Sequence, residues 1–201
     1  MTGLDLFERL APRIAPALEA KFAKPNCCIL ATRVAIEVGS YFGIEVKPVT
    51  CQVLVYNRQF RAHVDAEDFD SSDWRADGSY SLGIGYGMPG QDRGRIIDVQ
   101  GNRWNGHLIA VAADAFGDFA IRQAARPERG ILIGAAVFGV YRGASLWGAE
   151  HEDSGTALEY RLTENNDVYR LSPDWKDRKR SDRIVGSIIR AIRKEKNGCH
   201  S

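Results

Sequence analysis

From Leu4 to Phe22 the apolar residues Leu4, Phe7, Leu10, Ile14, Leu18 and Phe22 fall at intervals of three and four, the spacing of one helix face. Pro12 and Pro16 interrupt this stripe and each removes a backbone N–H, so the pattern predicts one kinked helix or two short ones. Pro25 and Asn26 then stop the chain. Asn26 is a good N-cap for a second helix with Leu30, Val34, Val38, Tyr41 and Phe42 on one side. Gly43 supplies C-cap chemistry at its end.

After Glu45 the period changes. "EVKPVTCQVLVYN" is rich in β-branched residues and close to alternation, which predicts a strand, with Pro48 suggesting an edge position or an irregular start. Arg58 to Ser79 is polar, acidic and without periodicity, and reads as a long excursion over the surface. "SYSLGIGYGM" and "RIIDVQ" are short strand candidates around a glycine-rich turn. "HLIAVAAD" and "DFAIRQAA" are two strand-like runs around "AFG", a tight hairpin turning near Asp114 to Gly117. "ILIGAAVFGVY" fits a buried strand or a buried helix, and "TALEYRLTENN" a half-exposed strand ending in a turn.

The pattern closes on a C-terminal amphipathic helix, residues 173–196. Ser172 is its N-cap, Pro173 its first residue, and Ile184, Val185, Ile188, Ile189 and Ile192 its buried face. Two helices followed mainly by strands predict a single α+β domain over residues 1–201.

Composition narrows the classes without naming one. The chain has 201 residues and a formal net charge of +1, enough length for a well-buried core and no general charge bias toward nucleic acid. The basic run "WKDRKRSDR" is balanced by Asp174, Asp177 and Asp182, which favours a solvated face over nucleic-acid binding. No apolar run approaches the ~20 residues of a membrane span, and the acids and prolines of the first residues do not resemble a signal peptide. The expectation is a cytoplasmic protein. Its cysteines, at 27, 28, 51 and 199, match neither a zinc ribbon nor a redox pair, and no metal or cofactor is expected. "GYGMPG" fits G-x-G-x-x-G but is followed by "QDRGRIIDV" rather than a helix opening, so it reads as a glycine turn.

Candidate chemistry lies in "NCC". A thiol in the first turn of a helix meets the positive end of the helix dipole, which favours thiolate. A nucleophile also needs a base oriented by a third group. "WNGHLIAVAADAFGDFAIRQ" offers His107 at the start of one hairpin strand and Asp118 at the start of its return. With about 3.3 Å per residue and a turn at Asp114 to Gly117, an ideal hairpin leaves these two apart. A bulge or twist, or a different partner such as Gln123, then has to be involved. Asp114 is the alternative acid.

The blocks "NCCILATRVAIEVGSYFGI" and "GHLIAVAADAFGDFAIRQAARPERGI" resemble the transglutaminase-like and arylamine N-acetyltransferase-like branch of the papain-like thiol enzymes. The resemblance covers roughly Asn26 to Ile131. It implies a papain-like fold, with the nucleophile helix packed on an antiparallel sheet. It also implies Cys28 or Cys27 as nucleophile, His107 as base and Asp118 as orienting acid. The RGG-x-C block of the acetyltransferases is absent, and the spacing from histidine to acid is shorter than in those families.

Helix phase separates the cysteines, because neighbours differ by about 100°. Cys27 shares the apolar side with Leu30, Ala31 and Val34, whereas Cys28 projects with Thr32 and Ala35 toward a cleft. Cys51 and Cys199 read as structural or incidental. Trp104 and Gln123 are candidate substrate contacts, with Trp104 equally readable as core and Arg126 as a substrate contact or a strand end. The expected activity is acyl transfer through a thioester, either hydrolysis of an amide or peptide bond or transfer to an amine. A non-catalytic peptide-binding or assembly module of the same fold is the alternative.

Overall fold

The computed structural model describes residues 1–22, 27–67, 77–85, 106–143, 146–151, 154–163 and 167–198. It is a mixed α+β structure in which helices pack against an antiparallel, nearly closed sheet. The first helix, α1 (Gly3–Phe22), runs through both prolines without a break. Pro12 and Pro16 lie one turn apart on the exposed side, opposite buried Phe7, Leu10, Ile14 and Leu18. Water can therefore hydrate the carbonyls that lose their N–H partners.

The second helix, α2 (Cys28–Tyr41), has Cys27 in the N-cap position, with no side-chain capping bond. Asn26, the expected cap, lies outside the described residues, and the helix begins one residue later than that cap implies. Its other end follows the expectation. Gly43 takes φ +73°, its N–H bonds Ser40 and the Ile44 N–H reaches back to Gly39, a Schellman ending that favours glycine in the left-handed region.

Strand β1 (Lys47–Tyr56) runs through the middle of the sheet. Its first half pairs with β3 (His107–Val111), its second half with β2 (Ser81–Ile84), and residues 51–56 pair on the other side with β7 (Thr156–Leu162). Pro48 sits where only β3 is a neighbour, so its missing donor interrupts no second ladder. The sheet continues from β3 to β4 (Ala115–Asp118) and β5 (Val137–Val140), and from β7 to β6 (Leu146–His151).

Several expectations change here. Arg58 to Ser79 is not all irregular, because α3 (Arg58–Asp65) starts at Asn57, whose side chain accepts from the Phe60 N–H. "DFAIRQAA" is strand only as far as Asp118, after which Ile121–Ala124 forms a 3-10 turn. "ILIGAAVFGVY" is neither a buried strand nor a helix; it ends in the short edge strand β5, with Val140 59% exposed. β7 is more buried than half-exposed. The strand β6 had no alternation strong enough to mark it. "RIIDVQ" and "GYGMPG" fall outside the described residues beyond Gly85.

The C-terminal helix is also two elements. Ser172 caps α4 (Pro173–Lys176) as expected. Asp177 then leaves helical geometry, and its carboxylate accepts from the Lys179 N–H to start α5 (Arg178–Gly198). Ile184, Ile188 and Ile192 of α5 are buried, while Val185 and Ile189 are half-buried at the border.

Two cores result from the alternation of β3 and β4. Ala110, Ala112 and Ala115 face α1, α2 and α5, with Leu6, Phe7, Leu30, Val34 and Ile188. Ile109, Val111 and Phe116 face the other way, with Cys51, Val53, Val55 and Tyr160. His107 has the parity of Ile109 and therefore belongs to this second, sheet-lined side.

Asn57 ties the sheet's irregular edge together. Its amide donates to the Gly78 and Arg129 carbonyls and its oxygen accepts from Phe60 and Tyr80, all while the side chain is buried. Asn57→Ala leaves four backbone groups without partners and is expected to cost about 2–4 kcal/mol. Asn57→Asp keeps the acceptor and should cost less. Urea unfolding of the three proteins checks the order.

Candidate functional site

The site forms where the start of α2 meets the start of β3. Thr32, one turn after Cys28, donates its buried hydroxyl to the Leu108 carbonyl at 3.1 Å, which fixes the axial position of the helix against the strand that carries His107. Cys27 is buried in the helix-side core and Cys28 is half-buried. This is the division that helix phase predicted. Both cysteines border a cavity of about 190 Å³, together with Ile29, Ile84, Gly106, His107, Gln123 and Asp174.

His107 and Asp118 are both fully buried, and Nε2 of the ring lies 2.7 Å from Oδ2 of the carboxylate. The apparent conflict with hairpin geometry disappears because the turn comes earlier than expected. Ala112 N–H bonds the Ala115 carbonyl and Ala110 faces Gly117, so the turn is at Ala112 to Asp114. Continuing that register places Asp118 opposite Ile109, on the same face as His107 and diagonal to it. Asp114, the alternative acid, is exposed in the turn itself.

The carboxylate of Asp118 is held on every side. Tyr160 donates its hydroxyl to Oδ2 at 3.1 Å, and the Ala120 N–H donates to Oδ1 at 3.1 Å. Sequence reasoning missed Tyr160, which arrives from β7 and carries no local signal. Burial, and then the Asp118 charge, push the Tyr160 phenol well above its ordinary range, so it remains a donor.

Burial is the largest single influence on His107 and acts to lower its pKa. The charge and hydrogen bond of Asp118, with the influence of the neighbouring Cys28 thiol, outweigh it and raise the imidazole to about 10. With Nε2 committed to Asp118, Nδ1 is the ring nitrogen not engaged by the carboxylate. The Gln123 side-chain amide stands 3.4 Å from Nδ1. The 3-10 turn that presents Gln123 is braced by Arg126, whose guanidinium donates to the Gln123 and Ala125 carbonyls. Arg126 thus bonds its own chain. Trp104 lies outside the described residues.

Two further residues shape the site from below. Cys51 faces His107 across the β1–β3 ladder. Burial above all, then Asp118 and Cys28, push its thiol well above the ordinary range, leaving it neutral packing. Gly85 follows β2 at φ +78°, where a Cβ would stand 2.7 Å from the Cys51 carbonyl oxygen and 2.9 Å from the His107 backbone nitrogen. Glycine here lets β2 close onto the start of β3. Among the described residues, no group of three or more His, Cys, Asp or Glu side chains is placed to hold a metal ion, and no helix is long and apolar enough to cross a membrane.

The pair has a measurable pH signature. His107 titrates higher folded than at the ordinary 6.5, so its stabilisation is complete below pH 6.5 and is lost as the pH rises through about 10. Melting temperatures across this window should fall in the wild type and fall much less in Asp118→Asn. Tyr160→Phe removes one hydrogen bond to a charged acceptor and should cost about 1.5–3 kcal/mol in chemical unfolding. No protein-family model, curated protein or solved structure matches this chain, so a function for the site rests on its geometry.

Proposed function

We propose that this protein is a cysteine-dependent acyl-transfer enzyme of papain-like, transglutaminase-like fold, acting in the reducing cytoplasm on an amide, peptide or other acyl donor. The observation that carries this reading is a half-buried Cys28 thiol on a helix start that borders the same cavity as His107, whose far nitrogen is fixed by the buried Asp118. A purely structural cysteine has no need of a buried, charge-paired histidine beside an open cavity.

In the first step Cys28 attacks the acyl carbon as thiolate while His107 holds its proton. The C–S bond forms, the bond to the leaving amine or alkoxide breaks, and His107 delivers its proton to that leaving group. Water or an amine then attacks the thioester, giving its proton to His107 and releasing Cys28. Asp118 keeps the ring in one orientation through both steps. First-turn N–H groups of α2, including that of Cys28, would bind the developing oxyanion, with Gln123 bordering the cavity.

Alkylation by iodoacetamide at pH 6, read by peptide mass, tests the reading. Cys28 should react about tenfold or more faster than a free thiol, and His107→Ala should bring it down to the free-thiol rate. A Cys28 that reacts no faster than a free thiol and is indifferent to His107→Ala would leave a non-catalytic binding module as the better description.

A further inference from the structure

Counted along the sequence, the basic run of residues 175–183 is offset by Asp174, Asp177 and Asp182. The fold undoes that balance. Asp174 belongs to α4, and the Asp177 carboxylate accepts from the Lys179 N–H to cap the start of α5. Glu195, near the other end of α5, turns to α1, where Arg9 and Arg13 pair with it. Arg178–Gly198 holds eight Lys and Arg against two acids, whereas the whole chain nets +1.

The helix then sorts its cations onto one face. Ile184, Ile188 and Ile192 are buried in the helix-side core, with Ser181 buried beside them. At about 100° and about 1.5 Å per residue, Lys179, Arg183, Arg190 and Lys194 fall within an arc of about 60° on the opposite side, along about 22 Å of axis. All four are exposed. None of them takes part in an ion pair among the described residues. Beside the end of this stripe, Arg193 donates to the Tyr41 hydroxyl at 3.2 Å. Tyr41 is the last residue of α2 and is 52% exposed, with the Phe42 ring edge-on at 5.1 Å.

Such a face takes a polyanion. A lipid surface would meet charge alone, because the apolar side of α5 is already committed to the core and has nothing to insert. A protein partner would bury an apolar centre, and Gly186 and Ser187 are what lies between the two cation pairs. Nucleic-acid interfaces are instead polar and strongly positive. An exposed ring beside the cations adds a platform on which an unpaired base can stack.

We propose that this face of α5, with Tyr41 at its end, is a docking surface for single-stranded nucleic acid, with phosphates on the four cations and a base on the Tyr41 ring. Among the described residues none of α5 borders the Cys28 cavity, and the proposal does not rest on the reactivity of that thiol. RNA and DNA strands share this chemistry, and the experiment separates them.

Fluorescence anisotropy of end-labelled oligothymidylate and oligouridylate, each of about 20 nucleotides, follows binding by the full chain. Four phosphate contacts on a single strand give a slope of about −3 in log K against log salt. Arg190→Ala combined with Lys194→Ala should weaken binding about tenfold or more at low salt and bring the slope to about −1.5. Arg129→Ala, at a cation beside Asn57, should change neither. Tyr41→Ala should weaken binding about fivefold or more with the slope kept, and Tyr41→Phe, which keeps the ring, should stay within about twofold of the wild type. Circular-dichroism melts check that each variant is folded, and the sugar of the tighter strand names the partner. No binding at low salt, a slope that the paired variant leaves unchanged, or a Tyr41→Ala protein that binds like the wild type overturns the proposal. So does a duplex bound as tightly as the single strand, or displacement by poly-glutamate or phosphatidylserine vesicles at equal anionic charge.

Discussion

A protonated imidazole and a carboxylate at 0% exposure, 2.7 Å apart, constrain everything around them. Removing two charges from water costs several kcal/mol per ion, and the attraction between them offsets that only when the remaining lone pairs and protons are also satisfied. That requirement explains why three chain segments converge on Asp118. The β3–β4 turn must be short enough to bring it diagonal to His107. The 3-10 turn must supply the Ala120 N–H, and β7 must lie close enough across the barrel-like sheet for Tyr160 to reach it. A flatter sheet would satisfy the register and still leave Tyr160 out of range.

The helical layer meets this sheet-borne pair at one end only. Thr32 holds α2 to the β3 carbonyl next to His107, while Cys27 and Leu30 are packed into the helix-side core. Cys28 consequently stands half-buried at the edge of the helix-side core, on the cavity that His107 also borders. Adjacent cysteines in this place are not redundant. One has its side chain committed to packing, and that commitment fixes the direction of the other.

Much of this was legible from the chain. The period-3.6 stripe of α1 and α2, Gly43 as terminator, β1 as a strand and Ser172 as a cap all follow from local chemistry, although α1 runs unbroken through its prolines and α2 starts one residue late. Helix phase separated a buried Cys27 from a half-buried Cys28, although both border the cavity. What local chemistry did not carry was distance across the sheet. Placing the hairpin turn two residues late made His107 and Asp118 look separated, because "AADAFG" offers several turn residues and only the pairing of Val111 with Phe116 selects among them. Tyr160 and Asp174 were beyond reach for the same reason, being delivered by tertiary packing from β7 and α4 with no motif of their own.

The delivery of Asp174 has a consequence for how the site is assembled. Arg33 lies on the nucleophile helix and bonds the backbone of Trp175, 142 positions later in the chain. The His107–Asp118 pair depends on strands that close among themselves, but the α4 border of the cavity forms only when α4 docks on α2. A four-residue helix broken at Asp177 has no buried residue of its own; Arg33 bonds it to α2, and the Tyr169–Trp175 ring contact ties it to the 3-10 turn that precedes it. Elements held by few contacts open more readily than the strands of a core. The His107–Asp118 pair is thus held by the strands of the sheet, whereas the α4 border of the cavity depends on a contact between the nucleophile-bearing helix and a segment far along the chain.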